Sequence, residues 1–408
     1  MKILYYSPHP NLTLASPSGP GTHMREVIEA LENQGHQVIQ FIAGDKDKRF
    51  SGLSQFKTPW YKGVLKFITP DIVWQSLKDW DLERWDARNS KELEAMIIQH
   101  KPDVIYERAH YMMKAGVRIA KRFNIPLIIE MNAPYSEEKI YLEGNSLYIE
   151  KSKQCEKEQI EGASVVYVVS SALSNYFKAQ YPSSEKRIII TPNAINPKKA
   201  HANPSLKASL KAQYRLRKDE VVIGFVGSIF KYHGVDRLLE AFANLVNEHP
   251  EKSFRLLVVG DGMVLPDLKK IAIKLGVNKK VIFFGNVPHR DVYTYIDLMD
   301  IAVMASSNWY GSPVKVFEYG AMSKAIVAPD NVPMRDVMVN GTEGILVNDG
   351  LDEVFNALNK LVFDDTLRLE LAKRFHDKVE KQYTWDIVAL DIAQRARAAL
   401  KNNDSVLN

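Results

Sequence analysis

The stretch VVIGFVGSIFKYHGVDRLLEAF, residues 221–242, decides the fold. It begins as an unbroken apolar run, turns at a glycine and continues as a helical segment. A strand with apolar residues at consecutive positions is buried on both faces, and a helix placed directly after it supplies the crossover that parallel strands require. The same unit recurs downstream in FRLLVVGDG, KVIFFGNVP, IAVMASS, AIVAPD and GILVND, with helical patterns in between. Upstream, KILYYS, QVIQFIA, PDVIYE, PLIIEM, SVVYVV and RIIITP form an equivalent series. Its first helix, GTHMREVIEALENQGH, carries Met24, Val27, Ile28 and Leu31 at helical spacing, and Gly35 stops it. The predicted fold class is therefore α/β, with two doubly wound, Rossmann-like parallel sheets. Such sheets bind ligands outside the carboxyl ends of their strands, so two of them facing each other are expected to form a cleft.

Between the two series, residues 193–220 are rich in Pro, Asn, Lys and Ala and read as a linker with one short helix. Residues 351–400 are helical throughout, with a break expected near residues 383–386. The expected domains are 1–195, with the C-terminal helix 385–408 packing back on it, and 196–384.

A chain of 408 residues is too long for one ordinary core, and 46% hydrophobic with 25% charged residues is a globular composition. The net charge of +5 fits phosphorylated ligands or an anionic membrane surface and is too small to argue for nucleic acid. Cys155 is the only cysteine, which excludes an internal disulfide and a cysteine-based zinc site and points to a reducing compartment. The start, MKILYYSPHPN, lacks the apolar core of a signal peptide, and the longest apolar run, VVYVV, is far short of a membrane span. The expected location is cytoplasmic.

Chemistry-bearing residues lie where strands end. In GSPVKVFEYGAMSKAIVAP, residues 311–329, Glu318 stands on the first turns of a helix that is otherwise small or apolar. A carboxylate there either compensates the helix dipole or accepts hydrogen bonds from ribose hydroxyls while the amides before it hold phosphate. In the opening stretch, Ser228, Lys231 and His233 form a polar, cationic cluster, where Lys231 supplies a point charge to a diphosphate and His233 a hydrogen bond, or else both are a surface lysine and a helix cap. SPSGPGTHMRE places Gly19 and Gly21 in a loop, with Gly21 opening a helix; VVGDG offers a further turn at Gly262; GNVPHRD presents backbone at Val287 to a planar base.

Jointly, the order strand-GPGTH-helix, YER-x-H, strand-GS…HG-x-x-x-LLEAF, VVGDG, G-x-VPH and SPVKVFEYGA resembles the retaining glycosyltransferases of family 4, over nearly the whole chain. The resemblance implies the GT-B fold, with an N-terminal acceptor-binding and a C-terminal donor-binding domain. It implies that Glu318 binds the ribose of a nucleotide-diphosphate sugar, with UDP or GDP as the expected nucleotide, and that the amides of Val314, Lys315 and Val316, behind Ser312 and Pro313, receive its phosphates. The sequence departs from the family where a second sugar-contacting glutamate is common, since that position is Tyr310, and where an arginine and a lysine often hold the diphosphate, since those positions are Ser228 and His233. Lys231 or Lys315 is then expected to carry the charge.

On the first domain, DVIYERAHYMMKAG ends a strand with Glu107, Arg108 and His110. Family members have a histidine near this place at the transferred sugar, which makes Arg108, His110 and Lys231 the expected catalytic groups, against the alternative of a structural Glu107–Arg108 ion pair. Glu107 and Asn132, in EMNAP, are expected on the acceptor side. The implied reaction is hexosyl transfer by front-side attack, in which the leaving diphosphate accepts the proton of an acceptor hydroxyl on a glycan, a lipid-linked molecule or a small molecule, in polysaccharide or glycoconjugate biosynthesis. No cofactor is expected. Two D-x-D triplets, Asp45 with Asp47 and Asp79 with Asp81, offer a metal-dependent alternative, but the expectation is metal independence. FKTPWYKGVLKFITPDIVWQSLKDWDLERWD, residues 56–86, mixes Trp60, Tyr61, Phe67, Trp74, Trp80 and Trp85 with lysines, which suits peripheral membrane contact or a lid packed on protein. A dehydrogenase is disfavoured because no strand opens into G-x-G-x-x-G with an acid ~20 residues later. A nucleotide-sugar epimerase and a non-catalytic sugar-nucleotide scaffold remain as alternatives.

Overall fold

The computed structural model describes residues 1–16, 19–46 and 69–407, with side chains to 402. It divides into two units, residues 1–191 with 386–408, and residues 192–385.

In the first unit, β1 (Lys2–Ser7), β2 (Gln37–Ile42), β3 (Val104–Arg108), β4 (Leu127–Met131), β5 (Val165–Val168) and β6 (Ile188–Ile190) form one parallel sheet in the order β2-β1-β3-β4-β5-β6. Every residue of β3, β4 and β5 is buried, as expected for strands covered by helices on both faces. The helix Gly19–Asn33 buries Met24, Val27, Ile28 and Leu31, the stripe its spacing predicts. It begins two residues before Gly21, which is tight for a different reason: a Cβ on Gly21 would stand 2.3 Å from the Ser16 carbonyl oxygen.

In the second unit, β7 (Val221–Val226), β8 (Phe254–Val259), β9 (Val281–Gly285), β10 (Ile301–Val303), β11 (Ala325–Pro329) and β12 (Ile345–Val347) form a parallel sheet in the order β12-β11-β10-β7-β8-β9. Alternate residues feed two cores, one holding Phe225, Val258 and Val303, the other Val226, Val259 and Ala302. Fully buried side chains such as Phe225 and Phe242 contribute about 1.5–3 kcal/mol each. The linker contains the helix Pro204–Gln213.

The terminal helices break after Gln382, and the second resumes as Trp385–Leu407. Residues 386–408 belong to the first unit, where the Tyr167 hydroxyl donates to Asp391 at 2.6 Å and the Gln34 amide to the Asp386 carbonyl at 2.7 Å. The crossing between units lies a few residues from the expected boundary. Ile195 bridges Thr384, with the Ile195 amide donating to the Tyr383 carbonyl at 2.9 Å, and this pairing ties residues 192–195 to the second unit. Among the described residues no helix is long and apolar enough to cross a membrane.

Candidate active site

In the second unit, chain order reverses at β7, which lies between β8 and β10. Loops leaving such a switch point diverge, and ligands bind there. After β7 the chain turns at Gly227, whose φ of +136° disfavours any other residue. A Cβ on Gly260 would stand 1.9 Å from the Gly227 carbonyl oxygen, and one on Gly262 2.1 Å from that of Ile229. The loops after β7 and β8 therefore pack backbone to backbone, which is what Gly262 is needed for. Val287 packs its side chain toward the core.

The chain leaving β10 enters the helix Val314–Ala321 after Pro313, and no side chain caps it. The Ser312 hydroxyl accepts from the Asn193 amide at 3.0 Å, and its carbonyl accepts from the Asn193 side chain, which fixes the approach to the helix. The Val316 amide donates to the Pro313 carbonyl at 3.2 Å, so Val314 and Lys315 carry the amides left at the open end. Glu318 follows one turn on, buried, its Oε1 3.8 Å from Nε2 of His289. Burial pushes the Glu318 carboxyl up to about 7, with Lys315 pulling it partly back.

Lys315 extends its ammonium over the Phe225 ring, 4.5 Å from the centroid, and to 3.3 Å from Nε2 of His233. Burial pushes it down to about 7 against the opposing pull of Glu318. Nδ1 of His233 donates to the Ser228 carbonyl at 2.7 Å, which places the ring proton there and leaves Nε2 as an acceptor. Burial and the Lys315 charge hold the ring down at about 3. His233 thus holds Lys315 instead of facing a ligand as a donor. Ser228 and Lys231 are exposed on the same loop.

The first unit has its switch point between β1 and β3, and a buried polar cluster lies there. Glu130 on β4 accepts from His23 at 2.9 Å, Tyr106 at 2.8 Å, Asn132 at 2.5 Å, and Arg108. Burial opposes ionisation of Glu130, but His23 and Arg108 hold its carboxyl well below the usual range. His110 stacks between His9, 3.8 Å away, and Tyr135, 4.9 Å away, and its Nδ1 accepts from the Tyr111 amide at 2.9 Å. Burial, then His9 and Arg108, keep the His110 ring neutral far below its ordinary value. Arg108, His110 and Asn132 come together here, and Glu107 does not. The Glu107 side chain leaves the opposite face of β3, over Gly116, with both carboxylate oxygens buried and without a hydrogen-bond partner among the described residues. Its expected acceptor contact is corrected by that burial, and no Glu107–Arg108 pair forms, because Arg108 pairs with Glu130.

Glu130, His23, His9, Phe225 and His289 were not singled out from the sequence. A glutamate within the wholly buried run LIIEM is the signal for the first of them, since a buried charge needs several partners.

The family model for glycosyl transferases group 1 matches residues 207–382, and that for glycosyltransferase family 4 matches residues 17–199. The chain belongs to the family 4 type of glycosyltransferases. This glycosyltransferase is 26% identical over 264 residues to the D-inositol 3-phosphate glycosyltransferase of Corynebacterium urealyticum, a match covering 63% of the chain and 62% of that relative. It is 23% identical to an uncharacterized glycosyltransferase of Methanocaldococcus jannaschii, covering 93% of each. An alpha-monoglucosyldiacylglycerol synthase of Streptococcus pneumoniae is 24% identical, covering 71% of the chain and 63% of that enzyme. Among solved structures, HepE of Anabaena in complex with UDP superposes with a TM-score of 0.71 at 16% identity, covering 98% of this chain and all of HepE (100%). The sucrose-phosphate synthase of Thermosynechococcus elongatus gives 0.74 at 17% identity, covering 98% and 99%. The fold is GT-B.

Among the described residues no group of three His, Cys, Asp or Glu side chains is placed to hold a metal. Asp45 accepts from the Leu14 amide at 3.2 Å, Asp79 accepts from Tyr111 at 2.9 Å and lies 3.5 Å from the Lys139 ammonium, and Asp47 falls outside the described residues. Trp60, Tyr61 and Phe67 also fall outside them, whereas Trp74, Trp80 and Trp85 lie on the helix Asp71–His100. There the Trp85 indole donates to the Pro8 carbonyl at 2.8 Å, tying the helix to the segment after β1, while Trp80 is 45% exposed under the Arg84 guanidinium.

Proposed function

We propose that this glycosyltransferase moves a hexose, with retention of anomeric configuration and without a metal, from a nucleotide-diphosphate sugar to an acceptor hydroxyl. The second unit holds the donor, with a UDP-sugar favoured over a GDP-sugar, and the first unit holds the acceptor, a glycan, lipid-linked or small molecule in glycoconjugate assembly. The reaction takes place in the cytoplasm, with peripheral membrane contact when the acceptor is lipid-linked.

One observation carries the reading: buried Glu318 stands one turn inside a helix whose open amides, at Val314 and Lys315, lie at the switch point of the sheet, and the Lys315 ammonium reaches over Phe225 on β7. A carboxylate there suits two ribose hydroxyls, and the amides suit a phosphate. HepE, of the same fold, has been solved with UDP and with UDP-glucose. In front-side transfer the leaving diphosphate accepts the acceptor's proton, so the protein's part is to stabilise the charge growing on that phosphate through fixed amides and a cation. Loss of one such donor costs ~10²–10³ in rate.

Thermal denaturation with UDP-, GDP- and ADP-sugars tests the donor, because a ligand of the native state raises its melting temperature. A shift with one nucleotide class and turnover of that sugar in excess chelator are expected. No shift with any of them, or activity abolished by chelator, refutes the respective part.

A further inference from the structure

Two lysines stand on the segments that follow β7 and β10, and the structure treats them differently. Lys231 is exposed at the start of the short turn Lys231–His233. Lys315 is drawn inward, so close to the backbone after β7 that a Cβ on Gly227 would stand 2.9 Å from its Nζ. One ammonium hydrogen is directed at Nε2 of His233, 3.3 Å away, and the group lies over the Phe225 ring. His233 is itself fixed, because its Nδ1 proton is committed to the Ser228 carbonyl at 2.7 Å.

We propose that Lys315 receives the donor's diphosphate, that His233 is the residue positioning it, and that donor binding draws one proton from the medium onto the Lys315 amine. This rests on the nucleotide-sugar reading above. The titratable groups facing the amine are His233 on the loop after β7 and Glu318 on its own helix, with His289 behind Glu318 at 3.8 Å. His233 stays neutral throughout the working range, so it accepts from Lys315 without competing as a cation. Burial outweighs the pull of Glu318 and lets the amine titrate at about 7. A diphosphate beside it restores the preference for the ammonium form. Above pH 7 a growing share of ligand-free protein therefore holds a neutral amine, and binding forms one N–H bond with a proton released by the buffer acid. Well below pH 7 the ammonium is already present and no uptake occurs.

Calorimetric titration of the full chain with UDP-glucose at pH 8, in two buffers of different ionisation enthalpy, reads the proton directly. Binding heats that differ between buffers by about one proton per ligand are expected, with the difference vanishing in Lys315→Met while affinity falls ~10–100-fold. His233→Leu is expected to weaken UDP-glucose binding and His233→Gln, whose amide oxygen still accepts from Lys315, to restore most of it. Equal heats in both buffers overturn the proposal and leave the nucleotide reading standing, as does uptake that persists in Lys315→Met. Absence of binding by UDP-, GDP- and ADP-glucose alike overturns the nucleotide reading and the proposal with it.

Discussion

Nε2 of His23 lies 2.9 Å from Oε2 of Glu130, 107 residues away in the chain, and the other oxygen of that carboxylate holds Arg108. Removing a buried partner leaves an uncompensated charge, so Glu130→Ala is expected to destabilise the first unit by about 3–5 kcal/mol. Because the native carboxyl is held below its ordinary 4.5, its contribution is full above that value and is lost as pH falls below it. Urea denaturation at pH 7 and pH 4 checks this. The gap between wild type and Glu130→Gln should narrow at the lower pH, and an unchanged gap contradicts it.

Glu107 gives the opposite sign. Burial, followed by the nearby Asp86, raises its carboxyl well above the ordinary 4.5, so the native state keeps the proton. Its contribution is full below that value and declines as pH rises. Glu107→Gln should therefore melt higher than wild type, increasingly so from pH 5 to pH 9. Gly116→Ala should lower stability by ~1–3 kcal/mol, since its Cβ would stand 1.6 Å from the Glu107 Oε2.

In the proposed donor site, burial brings an acid and a lysine together near neutrality. Glu318 is raised to about 7 and Lys315 lowered to about 7, both by burial. With an ionised acid and a charged lysine required, kcat/KM for the donor should peak near pH 7 and fall on both sides. Lys315→Met should remove the alkaline limb from what activity remains, and a profile flat from pH 6 to 9 in wild type rules the assignment out.

Glu318→Ala should leave the unliganded melting temperature within a few degrees of wild type and weaken nucleotide binding at least ~10-fold, as expected for a lost pair of charge-assisted hydrogen bonds. Unchanged affinity returns this acid to a helix-dipole role.

Much of the architecture was legible in one dimension. Runs such as LLVV before Gly260 and LIIEM after Pro126 are wholly or largely buried strands, and the alternation with helical stripes leaves parallel sheets as their arrangement. Glu318 was legible for a related reason, since an acid on a buried helix is conspicuous against its apolar neighbours. Arg108 is legible as a charged group at a strand end, but its partner is not: the structural alternative pairs it with the adjacent Glu107, whereas it pairs with Glu130. Adjacent residues in a strand point to opposite faces, and the partner came from the next strand instead.

Burial periodicity is a local property, and this chain's sequence therefore determined by itself its strands, its helices, the two parallel sheets and the position of the helix carrying Glu318. Which polar groups meet is not local. His233 finds Lys315 82 residues on, and their pairing, the tautomer it depends on and the depressed charge of the lysine arise only when β7 and the helix after β10 are packed side by side. Tertiary structure decided those, because hydrogen-bond partners and desolvation depend on what the fold brings to each atom.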